Sequence, residues 1–87
     1  MTRDEILEWL EQKLKIRSYR AIGDSGAIHR LEWIATAVVL GDWTIEDIDA
    51  ALDQTAGIKP LPRRISEIHR ILERKRWQKW QSKSSTQ

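Results

Sequence analysis

The apolar residues of this chain recur at three- and four-residue intervals, and nowhere do they alternate over the length of a strand. Ile6, Trp9, Leu10 and Leu14 make a first series; Ile28, Leu31, Ile34, Ala35, Val38 and Val39 make a second. Ile45, Ile48, Ala51 and Leu52 make a third, and Ile65, Ile68, Ile71 and Leu72 a fourth. That periodicity is the signature of amphipathic helices, and helices with apolar stripes must bury them on one another. The expected fold class is therefore all-α: a compact bundle of about four helices, with a basic, partly flexible C-terminal extension. With 87 residues and no cysteine, the chain makes one small domain that no disulfide or thiolate-bound metal can staple. Its stability has to come from packed side chains, the five tryptophans among them, or from association.

Punctuation places the ends. Thr2 and Glu5 form a capping-box pattern that opens a first helix, expected from Arg3 to Arg17. Asp24 or Ser25 caps the second, whose apolar positions cover more than one face, as a central helix requires; Gly41 ends it. Thr44 caps a third, acidic helix that Gly57 is expected to close. Pro60 and Pro62 enforce an extended entry to the fourth helix, with Pro62 suited to its first position. The domain is expected to span residues 1–81, the fourth helix running over about 62–81 beyond the core. Residues 82–87 lack apolar side chains and are expected to form a disordered tail.

Charge is unevenly distributed. Met1 to Ile58 carries 6 Lys and Arg against 11 Asp and Glu, a balance of −5; Lys59 to Gln87 carries 9 against 2, a balance of +7. The basic part should therefore meet something anionic: nucleic acid, an acidic protein surface, or the acidic body of the same molecule. No apolar run approaches the roughly 18 residues of a membrane span, and acidic residues from Asp4 onward do not suit a signal peptide. A soluble, cytoplasmic protein without a membrane partner is the expectation.

Catalytic and metal-binding patterns are missing from the sequence. There is no nucleophilic cysteine, GxSxG, HExxH, phosphate-cradling glycine loop or calcium-loop spacing. His29 and His69 lie on different helices; Glu32 follows His29 by three positions, the spacing of a surface contact. Asp49 and Asp53 share a helix face and Asp47 does not, which suits a solvated acidic surface. A non-enzymatic protein without cofactor or metal is expected.

The segment Lys59–Trp80 carries the candidate site. Arg63 and Arg64 fall in the first turn of the fourth helix, where the macrodipole disfavours a cation by roughly 0.3–1 kcal/mol. They either pair with the acidic third helix or offer an anion site to a partner. Arg70, Arg74, Lys75, Arg76 and Lys79, interleaved with Trp77 and Trp80, combine phosphate-contacting charge with rings that could stack on bases. The same composition describes an amphipathic partner-binding helix anchored by two tryptophans. A helix-turn-helix is a further possibility, presenting Arg63, Arg64, Ser66, Glu67, His69 and Arg70 to a major groove. The connection TAGIKPLP is long for that motif.

One family resembles this layout from Leu31 to Leu72, about half the chain. Trp33 lies on the central helix, and Leu40-Gly41-Asp42-Trp43 forms a tight link. An acidic helix from Ile45 to Leu52 follows, then Lys59-Pro60-Leu61-Pro62 and a helix that begins with Ile65 and Ile68. The arrangement resembles the phage replicative helicase loader/inhibitor proteins and related amino-terminal domains of replication-initiation loaders. The resemblance implies a small helical adaptor that binds the hexameric replicative helicase, with the basic stretch Arg74 to Lys83 in the position of the helicase-contacting region. Direct DNA or RNA binding through the fourth helix is the alternative. Self-association, acidic third helix to basic fourth helix, is a third possibility.

Overall fold

The computed structural model describes the backbone of residues 1–85 and the side chains of residues 1–78. Its elements are α1 (Arg3–Leu14), a short 3-10 helix (Tyr19–Ala21), α2 (Ser25–Val39), α3 (Ile45–Gln54) and α4 (Leu61–Ser85), and among the described residues there is no strand. The all-α expectation is met. α2 lies at the centre, packed on α1 and on α4, and α3 packs on α4.

The four apolar series meet as the spacing requires. Ile6, Leu10, Leu31, Ile34, Ile48, Ile65, Ile68 and Leu72 are fully buried. Ala27, Ala35 and Ala51 are buried among them, where side chains this small let helices approach closely. Trp43 is only 2% exposed although it sits in the link between α2 and α3. Its ring meets Trp33 edge-on at 5.0 Å, and Trp33 in turn meets His69 edge-on at 4.7 Å. This ladder of rings ties the link to α2 and α4, and such pairs add to plain area burial.

The helix starts follow the sequence closely. Thr2 Oγ1 accepts from the Glu5 amide at 3.2 Å, and Glu5 Oε1 accepts from the Thr2 amide at 2.8 Å. Hydrogen bonding of the Glu5 carboxylate to the Thr2 amide, and next to the Thr2 side chain, holds it below its usual range by favouring the charged form. Asp24 caps α2 through the Ala27 amide at 2.8 Å. Thr44 and Asp47 make a second reciprocal box at the start of α3, with bonds of 3.1 and 3.0 Å.

The helix ends depart more. α1 stops at Leu14 rather than Arg17, because Lys15 turns left-handed at φ 59° and the amides of Lys15 and Ile16 close back on Gln12 and Glu11. The Glu11 carboxylate then accepts the Tyr19 amide at 2.8 Å and anchors the loop. Gly41, at φ 87°, does follow the end of α2. Val39, expected in the core, is 51% exposed because it lies on the outer side of that last turn.

α3 ends at Gln54, three residues before the expected glycine. Thr55 ends it: buried to 1% exposure, it sends its hydroxyl proton back to the Ala51 carbonyl at 2.9 Å. α4 opens at Leu61, with Pro62 second rather than first, and the Pro60 carbonyl accepts from the Arg63 and Arg64 amides. α4 continues to Ser85, past the end expected near residue 81; the expected tail at 82–87 otherwise lies outside the described residues.

Candidate partner-binding face of the fourth helix

α4 carries three kinds of basic residue, and geometry separates them. The inner kind is Arg64. Its guanidinium donates to the Leu52 carbonyl at 3.0 Å and to Thr55 Oγ1 at 3.3 Å, so it caps the last turn of α3. Of the two expectations for Arg64, the contact with the acidic third helix is the one seen, but it goes to backbone and hydroxyl oxygens at the negative pole of α3 rather than to carboxylates.

The lateral kind is Lys75 and Arg76. Lys75 Nζ stands 2.7 Å from Asp47 Oδ1, and the Asp47 side chain is only 12% exposed. Arg76 approaches Asp42 at 4.0 Å, the outer limit of an ion pair between two partly exposed groups. These two residues bind the acidic link and α3 of their own molecule. Lys13 on α1 does the same towards Asp49 at 3.5 Å.

The outer kind is Arg63, Arg70, Arg74 and, with them, Trp77. All four are exposed, Trp77 to 56%. At 100° per residue they fall within about 40° of the direction opposite the buried Leu72, over about 21 Å of helix. Arg70 is 3.6 Å from Glu67 one turn earlier. Arg63 and Arg74 have no carboxylate within ion-pair distance among the described residues. The result is an outward ridge of three guanidinium groups and one indole. Lys79 and Trp80, also expected in the site, lie outside the residues whose side chains are described.

Beside the ridge an open cleft of about 240 Å³ separates α3 from α4. Ala50 and Gln54 line it from α3, and Ile71, Arg74 and Gln78 from α4, over the Asp47–Lys75 pair. Arg74 and Lys75 were expected in the site from the sequence; Gln54, Ala50 and Gln78 were not. Those three are polar or small residues whose role depends on which sides of two helices face each other. A shallower depression of about 230 Å³ lies by α1, where Asp4, Glu8 and Glu11 face Tyr19 and Arg20. No group of three metal-ligating side chains occurs among the described residues.

His69 is the one histidine drawn into the packing. Burial pushes its imidazole below the ordinary value of 6.5, with nearby Arg30 in the same direction and Glu73 opposing. Its ring is held by Trp33 and does not join the outer ridge.

No family model matches the sequence, and no curated protein or solved structure matches it. No helix among the described residues is long and apolar enough to cross a membrane.

Proposed function

We propose that this protein is a non-enzymatic adaptor that regulates a protein of the DNA replication machinery by docking it on the outer side of α4. The observation that carries the reading is the ridge of Arg63, Arg70, Arg74 and Trp77. It is exposed, basic and backed by Ile65, Ile68 and Leu72, which are buried in the core. An exposed tryptophan among arginines has the composition of an interface hot spot, where buried aromatic and guanidinium groups supply most of the binding energy. The resemblance of the Leu31–Leu72 layout to helicase loader/inhibitor proteins supports a hexameric replicative helicase as the partner. Capture of purified replicative helicase by the immobilised protein tests this, together with a double variant carrying Trp77→Ala and Arg70→Ala. Loss of helicase binding in the variant, with an unchanged thermal melt, is expected; full retention overturns the assignment of the ridge.

The alternative is a nucleic-acid-binding protein, and the observation in its favour is that the exposed Arg63 and Arg74 have no carboxylate within ion-pair distance among the described residues. On that reading affinity for labelled DNA falls with salt by a log–log slope of about −0.9 per phosphate neutralised on duplex. No binding at low salt would dismiss it.

A further inference from the structure

We infer that the cleft between α3 and α4 is a binding site for a single acidic side chain presented by a protein segment. The inference rests on the adaptor reading and names the chemistry that the partner would present.

The lining carries the argument. Ala50 and Ile71 give the cleft short aliphatic walls, and the carboxamides of Gln54 and Gln78 each supply a donor and an acceptor, the groups needed to hold a peptide backbone. Lys75 is already engaged by Asp47 at 2.7 Å. Arg74 remains, lining the same cleft, with no carboxylate within ion-pair distance among the described residues. Arg74 is therefore the cleft-lining cation left to meet a carboxylate, and its planar fork suits one.

The opposite lip decides between occupants. Glu46 and Asp53 are exposed on α3, four before and three after Ala50, and so flank the cleft on its α3 side. A nucleic-acid strand carries a charge about every 3.4 Å along the helix axis, so a strand seated on Arg74 would press further phosphates against that acidic lip. One carboxylate, followed by an aliphatic residue, meets Arg74 without meeting α3. At about 240 Å³ the space also matches a side chain with its neighbouring peptide rather than a strand.

The test uses the full chain, isotopically labelled, and three probes observed by amide and carboxamide chemical shifts. They are a blocked, otherwise uncharged octapeptide with one glutamate followed by leucine, the same peptide with glutamine for glutamate, and oligothymidylate. The expected result is saturable shifts at Ala50, Gln54, Ile71 and Gln78 with the glutamate peptide, and none there with the other two. Arg74→Glu, and separately Ala50→Glu, should weaken that binding by about tenfold or more without lowering the melting temperature. Both positions are exposed, so either variant alone suffices if the other fails to fold. Absence of cleft shifts at millimolar glutamate peptide overturns the proposal, as do equal shifts with the glutamine peptide or oligothymidylate. Helicase capture, measured separately, distinguishes the two failures. Captured helicase with an unresponsive cleft sinks the cleft alone, and a responsive cleft with no captured helicase sinks only the identity of the partner.

Discussion

Arg64 and Leu52 are joined across two helices: the guanidinium at the start of α4 donates to the carbonyl near the end of α3 at 3.0 Å. Two oddities of the sequence explain each other in this contact. The first turn of α4 contains no acid, and the last turn of α3 contains no base. Each is unfavourable for its own helix, but the cation that α4 misplaces is the cation that α3 lacks. Arg64→Ala should therefore lower stability by about 1.5–3 kcal/mol, the range for hydrogen bonds to a charged group. Arg63→Ala, one residue earlier and exposed, should change it by no more than about 0.5 kcal/mol. Urea unfolding followed by circular dichroism separates the two, and equal costs would contradict the cap.

Asp47 serves both Thr44 and Lys75 from one carboxylate. Oδ2 accepts the Thr44 amide at 3.0 Å in the α3 capping box, and Oδ1 faces Lys75 at 2.7 Å. Asp47→Ala should cost about 1–2 kcal/mol, the usual range for a lost cap with a contribution from the ion pair. Asp53→Ala, exposed on the same helix, should be close to neutral. The same unfolding measurement checks the difference.

These two cases show where the sequence was legible. Helix starts could be read at Thr2, Asp24 and Thr44 because a cap is local: donor and acceptor lie within three residues. Helix ends at Leu14 and Gln54 could not, since Lys15 adopts φ 59° without being glycine and Thr55 bonds back where Gly57 was expected to act. Most of the core followed from periodicity, with Val39 exposed and Trp43 of the link buried as the departures. The candidate site was legible only in composition. That Arg63 faces out and Arg64 in depends on where α3 ends in space, which no spacing within α4 encodes. The α3–α4 cleft was invisible for the same reason.

His69 gives stability a pH dependence of definite sign. Its folded pKa lies below the ordinary 6.5, mainly because burial disfavours the imidazolium. The unfolded chain then binds the proton more readily than the folded one, so protonation favours unfolding. The contribution is fully present above the unfolded value near 6.5 and is lost as pH falls from there towards the lower folded value. Urea midpoints measured across that interval should decline on acidification in the parent protein. The decline should be smaller in His69→Gln, whose neutral side chain cannot titrate. An identical pH profile in the two proteins would rule out His69 as the source.

Trp43 combines the tightest burial in the α2–α3 link with an unmet need. Its indole Nε1 is buried and has no hydrogen-bond partner among the described residues, while its ring packs edge-on against Trp33. Removing the ring altogether leaves a large void, so Trp43→Ala should cost about 3–5 kcal/mol, a large share of what so small a domain possesses. Trp43→Phe loses part of the ring but also removes an unpaired buried donor, whose desolvation costs about 1–3 kcal/mol. The two terms oppose, so the phenylalanine variant should lie within about 1.5 kcal/mol of the parent. If Trp43→Phe were as damaging as Trp43→Ala in urea unfolding, the N–H would have to be satisfied in solution by water or by a neighbour. Hydrogen exchange of the indole proton decides between these: slow exchange marks a buried, unhydrated donor, and fast exchange marks one that water reaches.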